Sequence, residues 1–283
     1  MYSYKTYKNL KNNFNSAIPK TFLGTLIRKI ILGKIFYLFW FIFEILNKLL
    51  SKIIFRKFCY KLYADCKVIG GPFKGLKYSE PTSACGPLIP KLLGTYESEL
   101  IPTINSFKGK EYSKIIDIGA AEGYYALGFS IIFPDTKILA YEIHSKTIKL
   151  LNKNIKYNNK ELQIKTSEDL CYDDFSNIKP ESRLLILSDC EGYEHELFKK
   201  NIVEKLANSD LIIEMHTDNL EKSNLEESFE KSHYIEKIGL DKHLINIDQY
   251  SNLDIDLNNF ISKYAENRLD THHYLILRSK NHN

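Results

Sequence analysis

Short apolar runs rich in Ile and Leu recur along the second part of the chain. Five of them have the length of buried strands and the composition of strands covered on both faces. They are KIIDIG at 114–119, KILAYE at 137–142, LQIKT at 162–166, LLILSD at 184–189 and LIIEMH at 211–216. A sixth run, HHYLILRSK at 272–280, can close the same sheet.

Amphipathic stretches of helical length separate these runs, among them YYALGFSIIF at 124–133 and SKTIKLLNKNIKY at 145–157. The alternation predicts an α/β fold, a doubly wound and mostly parallel sheet with helices on both faces. Ligands of such sheets collect at the carboxyl ends of the strands. Four acids lie at or next to those ends, namely Asp117, Glu142, Asp189 and Glu214.

The N-terminal segment has a different pattern. On a helix, residues 26–58 would place Lys34, Glu44, Lys48 and Lys52 near one stripe, with apolar side chains around the rest. The longest uncharged stretch, residues 35–43, is too short for a span of about 20 apolar residues. The pattern is typical of a helix lying in a membrane interface. Packing on the body or on a second subunit, and a true span, remain open. We expect a helical arm at 1–65 and a body at 66–283.

The distribution of charged residues also distinguishes the N-terminal arm from the body. Residues 1–61 carry twelve Lys and Arg and one acid, which leaves 27 of the 39 basic and 34 of the 35 acidic residues for the remainder. An acidic body argues against broad nucleic-acid binding, and the basic arm favours an anionic membrane surface. The five cysteines form no C-x-x-C pair, which favours a reducing compartment. We expect a cytoplasmic protein, peripheral on the inner face of the membrane, that can also form an oligomer.

The first predicted strand runs into the turn IIDIGAAEGYYAL, which contains Asp117, Gly119 and Gly123. Ala121 and Tyr124 occupy the second and third glycine positions of a dinucleotide fingerprint, and no G-K-[ST] follows, so the turn is neither that motif nor a P-loop.

Two acids narrow the kind of ligand. Glu122 would place a negative charge at the helix start, where a pyrophosphate would otherwise sit. The turn therefore suits a small cofactor with little negative charge, and a tight turn without a ligand is the alternative. Glu142 ends the next strand, where a carboxylate can accept hydrogen bonds from both hydroxyls of a ribose.

D-x-G-x-x-x-G followed by a strand that ends in an acid resembles class I S-adenosylmethionine-dependent methyltransferases. The ordered set IIDIGAAEGYYAL, LLILSDCEGYEHELF and LIIEMH is similar to the FkbM-type branch, which is associated with O-methylation of sugars and other natural products. LLGTYESELIPTI upstream and AENRLDTHHYLIL downstream also resemble that branch. The resemblance covers about residues 68–279 and leaves the arm out. One departure is Ala120-Ala121-Glu122, which stands where an Ala-Asn-x form is common.

The resemblance implies a pocket for S-adenosylmethionine. Asp117, Gly119 and Gly123 would shape the part of the pocket that holds methionine. Glu142 would bind the ribose. Asp169, or its neighbour Glu168, would meet the adenine amino group. Glu97 would line the pocket, or be a solvated acid on a helix. The cofactor-binding candidates are Glu97, Asp117, Gly119, Gly123, Glu142 and Asp169.

The fourth run ends in Ser188-Asp189-Cys190-Glu191-Gly192, where this fold brings the methyl group close to the acceptor. A carboxylate there can accept the proton of an alcohol. A pair of carboxylates can instead hold a divalent cation, Mg or Mn, that lowers the pKa of the acceptor. Acids that cap a helix are the alternative. The catalytic candidates are Asp189, Glu191, His216 and Arg268, and the metal candidates are Asp189 and Glu214.

These patterns together predict an O-methyltransferase that moves a methyl group from S-adenosylmethionine to a hydroxyl of a sugar, glycan or glycolipid near the cytoplasmic membrane face. Two alternatives stay open. One is methylation of a soluble small-molecule hydroxyl or amine. The other is a membrane-associated protein that binds the cofactor without turnover.

Overall fold

The structure is a computed structural model that describes residues 41–43, 46, 61–62, 64–168, 178–216, 224–239 and 273–282. The chain divides into two compact units, Met1–Phe58 and Cys59–Asn283. In the first unit the described residues 41–43 and 46 are helical and exposed. The predicted polar stripe of the arm, from Lys34 to Lys52, lies outside the described residues. Within the described part of the chain, no helix combines the length and apolar content that crossing a membrane requires.

Seven strands form one sheet in the second unit. They are β1 Lys114–Ile118, β2 Ile138–Tyr141, β3 Ile164–Ser167, β4 Leu184–Ser188, β5 Asp210–Met215, β6 His233–Gly239 and β7 His273–Ser279. Their order is β3-β2-β1-β4-β5-β7-β6. The first five pair in parallel, and β7 is antiparallel to β5 and β6. The order is that of a Rossmann sheet with a reversed strand inserted before the edge. The predicted doubly wound, mostly parallel α/β fold is confirmed.

The helices of the second unit are short. Those described are α1 Leu88–Leu93, α2 Ile101–Ser106, α3 Tyr124–Ile132, α4 Ser145–Tyr157, α5 Glu194–Leu197, α6 Lys200–Val203 and α7 Asn224–Phe229. The two helices predicted from periodicity are α3 and α4. Helix α3 packs on β1, β2 and β3, and α4 packs on β3.

One hydrophobic cluster joins the central strands to α5, α6 and α7. It contains Ile116 and Ile118 of β1, Ile186 of β4, and Phe229 of α7, all of them buried. Full burial of one such side chain stabilises the fold by about 1.5–3 kcal/mol. Because strand residues alternate between faces, Asp117 points away from this cluster. The cluster therefore holds the strands in register while leaving the acids at their carboxyl ends for other contacts.

Strand β6 has no counterpart among the strands predicted from the sequence. It is the edge strand next to β7, and most of its side chains are exposed or half-buried. Tyr234, for example, is 54% exposed. An edge strand buries little, so its sequence lacks the continuous apolar run that identifies the central strands.

Candidate active site

A cavity of about 760 Å³ lies at the carboxyl ends of β1, β2 and β4. Its wall includes Gly119, Ala121, Glu142, Asp189 and Glu191. Among the described residues that line it, none is Lys or Arg. The volume is that of a typical cofactor or small-molecule site. An acidic wall repels phosphate groups and suits a neutral or cationic ligand.

The turn after β1 brings two segments too close together for a side chain at residue 119. Gly119 has φ 79°, and a Cβ there would lie 1.8 Å from the carbonyl oxygen of Asp189. The Asp189 N–H donates to the carbonyl of Ile118 at 2.9 Å, and the Gly119 N–H donates to the carbonyl of Tyr141 at 3.0 Å. The turn thus depends on glycine for a close backbone approach as well as for its conformation.

At Gly123 the nearest obstacle to a side chain is a neighbouring helix and not the backbone. It precedes α3 with φ 97°, and a Cβ there would lie 2.5 Å from Leu151 Cδ1 in α4. It is not among the residues that line the cavity. Gly123 therefore permits the close packing of α4 against the turn.

Asp117 lies inside β1 and is 1% exposed. Neither of its carboxyl oxygens has a well-formed hydrogen bond among the described residues. Burial raises the pKa of Asp117 to about 7, an effect that the approaching Ala126 N–H opposes and that the charges of Asp189 and Glu142 reinforce. Protonation at neutral pH relieves the cost of a buried charge without a partner.

Glu142 follows β2 directly, is buried and lines the cavity. Its Oε2 accepts a hydrogen bond from the Ala121 N–H at 3.0 Å, and its Oε1 accepts one from the His144 N–H at 2.8 Å. Each carboxylate oxygen keeps further acceptor capacity. Glu142 can therefore bind ligand hydroxyls while it holds the turn.

Glu122 does not present its charge at the start of α3. It is fully buried and forms an ion pair with Lys91. Its carboxylate also accepts hydrogen bonds from Ser83 Oγ at 2.9 Å and from the Ala84 N–H at 3.0 Å. Burial would raise the pKa of Glu122, but the charge and hydrogen bond of Lys91, together with hydrogen bonds from the backbone and Ser83, hold it below the ordinary value. The charge expected at the helix start is thus already neutralised by the protein.

Glu97 precedes a short 3-10 turn, Ser98–Leu100, with φ 49°. Its side chain is 3% exposed and accepts a hydrogen bond from Tyr125 Oη. The alternative of a solvated acid on a helix is therefore wrong. Glu97 is also absent from the residues that line the cavity. Its charge contributes to the raised pKa values of Asp117 and Asp189.

Acids and an imidazole converge at the end of the cavity beyond β4 and β5. Asp189 follows β4, and His216 follows the neighbouring strand β5. His216 Nε2 lies 3.5 Å from Asp189 Oδ1 and 3.6 Å from Glu191 Oε2. The Glu191 side chain is 80% exposed, so it stands on the solvent side of this group.

Glu194, the first residue of α5, completes the group and was not singled out by the sequence. It is 1% exposed, and its Oε1 lies 3.0 Å from His216 Nδ1. The same oxygen accepts a hydrogen bond from the Gly192 N–H at 3.1 Å. Its only sequence signal is an acid in the first turn of a helix, which ordinarily indicates a favourable interaction with the helix dipole.

Two pKa values in this group are displaced upward. Burial, and then the charges of Glu214 and Glu97, raise the pKa of Asp189 to about 8 against the opposing effect of His216. Burial would lower the pKa of His216, but the hydrogen bond to Glu194 and the charge of Asp189 raise it to about 9. A carboxyl group that titrates near neutral pH is suited to accept a proton during catalysis.

Glu214 lies within β5, is 4% exposed and accepts a hydrogen bond from Tyr274 Oη at 3.4 Å. One ligand atom each from Asp189, Glu214 and His216 lie within 4.8 Å of one another. Two carboxylates and an imidazole form a donor set that suits a divalent ion. The predicted metal candidates are thus brought together, with His216 as a third donor.

The remaining candidates are distributed as follows. Asp169 and Arg268 lie outside the described residues, and Glu168 is exposed. His195 lies in α5. Cys190 lines the cavity and packs against the hydrophobic cluster, and burial raises the pKa of its thiol to about 12.

Comparison with known proteins finds similarity at the level of the fold. No protein-family model matches the sequence, and no curated protein matches it. The chain is similar to a precorrin-6y C5,15-methyltransferase from Geobacter metallireducens, with 14% identity, TM-score 0.44, and coverage of 66% of this chain and 88% of that one. It is similar to a human methyltransferase 10 domain containing protein, with 14% identity, TM-score 0.44, and coverage of 81% and 96%. It is also similar to a SAM-dependent O-methyltransferase from Thermotoga maritima, with 15% identity, TM-score 0.40, and coverage of 65% and 64%.

Proposed function

We propose that the second unit is an S-adenosylmethionine-dependent O-methyltransferase. The observation that carries this proposal is the charge of the cavity at the strand ends. Glu142 and Glu191 line it, Asp189 adds a negative charge as the pH rises through about 8, and no Lys or Arg lines it among the described residues. Opposite charges attract and like charges repel, so this wall favours a sulfonium nucleoside over a phosphorylated cofactor. Glu142, at the end of β2, is placed to accept ribose hydroxyls.

The bound cofactor supplies an electrophilic methyl group, and the side chains around Asp189 manage the proton of the acceptor. An alcohol is a poor nucleophile until it loses its proton. Asp189 lines the cavity, and its raised pKa makes its deprotonated form a stronger proton acceptor than an ordinary carboxylate. His216 lies beside Asp189, and Glu194 holds its ring. In this proposal Asp189 is the base and Glu194 orients the imidazole.

A divalent cation is a second way to use the same residues. Asp189, Glu214 and His216 offer donors close enough to share one ion. Such an ion would polarise the acceptor oxygen and lower its pKa. Glu194 would then orient His216 as a ligand through its other ring nitrogen, a frequent arrangement at metal sites. Activity that survives exhaustive chelation would exclude this version and leave the acid–imidazole version.

We further propose that the acceptor is a hydroxyl of a sugar, glycan or glycolipid at the cytoplasmic face of a membrane. The sequence resemblance and the basic, apolar arm support this choice. The cavity rim adds a compatible surface, since Tyr193 and Ile143 line the cavity and are 57% and 73% exposed. Aromatic and aliphatic groups of this kind can pack on the apolar face of a sugar ring.

The proposal is tested by calorimetry and by methyl transfer. We expect wild-type protein to bind S-adenosylmethionine and S-adenosylhomocysteine, and not NAD or ATP. Labelled S-adenosylmethionine with a membrane-glycan extract should then yield a labelled, base-stable ether product. A folded protein that binds neither sulfur nucleoside would refute the cofactor assignment. Binding without transfer to glycan, but with transfer to small soluble alcohols or amines, would refute the acceptor class alone.

A further inference from the structure

Ala84 and Cys85 form part of one wall of the cavity, and with the preceding residue Ser83 they belong to no helix or strand. Ala84 and Cys85 line the cavity together with Gly119 and Glu142. Both are exposed, and their N–H groups donate to the carboxylate of Glu122 in the turn after β1. An irregular segment keeps its position in a cavity wall only if buried residues hold it through hydrogen bonds or packing.

The rigid support is a buried ion pair. Lys91 and Glu122 are 2% and 0% exposed, and they contact each other directly. Glu122 Oε2 accepts hydrogen bonds from the Ala84 N–H at 3.0 Å and the Cys85 N–H at 3.3 Å. Glu122 Oε1 accepts one from Ser83 Oγ at 2.9 Å. One carboxylate therefore binds three consecutive residues, two of which line the cavity.

Lys91 holds the same segment from the other side. Its ammonium group donates to Ser83 Oγ at 3.0 Å and to the carbonyl oxygen of Cys85. It also lies 4.6 Å from the centre of the Tyr96 ring, which adds a cation–π contact. Its hydrogen-bond donors are thus used within the protein, so Lys91 is not placed to bind a ligand phosphate.

The ion pair is also joined to the ligand side of the turn. Ala121, the neighbour of Glu122, has φ 46° and donates its N–H to Glu142. Asn154 of α4 donates to the Glu122 carbonyl at 3.0 Å, and its side-chain oxygen accepts from the Ser79 N–H at 2.9 Å. The turn after β1, which contacts Glu142 through Ala121, is therefore connected to the segment 83–85 through Glu122.

We propose that Glu122 and Lys91 are positioning residues that hold residues 83–85 as a cavity wall and thereby set the affinity for the ligand. The identity of that ligand, a sulfur nucleoside, rests on the proposed function. The support of the wall by the ion pair does not. The two parts can therefore fail separately.

The test compares Glu122→Gln, which removes the charge and keeps the size, with two control variants. Glu80→Gln removes an exposed ion pair with Lys153 on the same segment. Asp210→Asn weakens a buried polar group with Tyr112 and Lys110 at the opposite end of the sheet. Glu80→Gln controls for the loss of any ion pair near the wall. Asp210→Asn controls for a loss of stability alone.

Two measurements are made on each full-length protein. Hydrogen exchange of the peptide that contains residues 83–85 reports the two amides that donate to Glu122, with or without ligand. Calorimetry with S-adenosylhomocysteine reports affinity. We expect Glu122→Gln to speed exchange of those amides and to weaken binding, each by about tenfold, the effect of losing one charge-assisted hydrogen bond. Saturating kcat should stay near wild type, and both controls should leave exchange and affinity unchanged.

Normal exchange at 83–85 and normal affinity in folded Glu122→Gln would overturn the proposal. Weaker binding in Asp210→Asn as well would overturn it too, because stability alone would then explain the loss. If Glu122→Gln does not fold, Ser83→Ala keeps the ion pair and removes one anchor, and unchanged exchange there would overturn it. If wild-type protein binds no sulfur nucleoside, the proposed function fails, and the exchange measurement still decides whether the ion pair holds the wall.

Discussion

The carbonyl oxygen of Asp189 occupies the space that a side chain on Gly119 would need, 1.8 Å from the position of its Cβ. The turn after β1 and the candidate base after β4 are therefore in direct backbone contact. A side chain introduced at residue 119 must displace the backbone at residue 189. The first obstacle to a larger residue at 119 is therefore the protein's own backbone.

We predict that Gly119→Ala destabilises the fold more than Gly109→Ala. The two glycines have nearly equal φ values, 79° and 80°, but residue 109 has open space around its Cβ position. Both variants lose about 1–2 kcal/mol from the left-handed conformation. Only Gly119→Ala adds the overpacking cost of about 1–3 kcal/mol. Urea unfolding of both variants measures the difference, and equal losses would contradict the close approach.

Glu142→Ala should weaken binding of S-adenosylhomocysteine by about 1–3 kcal/mol, because ribose hydroxyls lose an ionised acceptor. Part of the loss could come from the turn, since Glu142 also accepts the Ala121 and His144 N–H groups. An analogue without the ribose 2′-hydroxyl separates the two causes. The analogue should bind wild type less tightly than the parent ligand does. The two ligands should bind Glu142→Ala with equal affinity.

The matched control for Glu142→Ala is Glu111→Ala, which removes an exposed acid that does not line the cavity. It should bind both ligands like wild type. If Glu142→Ala discriminates between the two ligands as strongly as wild type does, Glu142 does not bind the ribose.

Asp189→Asn should lower turnover by about 10²-fold or more, because the amide cannot accept the acceptor's proton. Affinity for S-adenosylhomocysteine, which carries no sulfonium charge, should change little. Glu191→Gln is the comparison, since its side chain is 80% exposed and should matter less. Wild-type kcat/KM should rise with pH through about 8, where Asp189 deprotonates. A flat profile, or normal turnover in the Asn variant, would remove Asp189 from the mechanism.

Glu194→Gln should lower the pKa of His216, because the hydrogen bond with Glu194 is a main cause of its rise to about 9. A raised folded-state pKa means that His216 stabilises the fold fully below its unfolded pKa of about 6.5. That contribution is lost as the pH rises through about 9. NMR titration of the imidazole in the presence of chelator measures the shift. An unchanged pKa in the variant would mean that Glu194 does not control His216.

The arm prediction concerns the unit Met1–Phe58. Its basic residues should attract anionic head groups at about 1 kcal/mol per nearby Lys or Arg, an effect that salt screens. The full chain should co-sediment with anionic vesicles better than with neutral ones, and a chain lacking Met1–Phe58 should not. Equal pelleting of both chains would exclude the arm as the anchor. Resistance to high salt and alkaline wash would indicate a span, and an arm-dependent dimer without pelleting would indicate a partner helix.

The sequence by itself determined six of the seven described strands and the edge of the sheet at which the acids gather. β1, β2, β4, β5 and β7 are continuous apolar runs, and such runs must be buried wherever they lie. Glycine at 119 and acids at 142 and 189 follow those runs directly. Because parallel strands bring their carboxyl ends to one edge, local patterns sufficed to bring these residues to one cavity. The edge strand β6 was not predicted, because its mostly exposed or half-buried residues form no continuous apolar run.

Only the tertiary structure decided what each acid contacts. Glu122 pairs with Lys91, which lies 31 positions earlier in the chain, and Glu194 meets His216 22 positions later. Neither separation corresponds to a helical or strand repeat, so no periodicity marks the pair. Charge and spacing identify acids that need partners, because a buried carboxylate without one is costly. Which partner each acid obtains depends on how the turns and loops pack at the edge of the sheet, and that is a property of the folded chain.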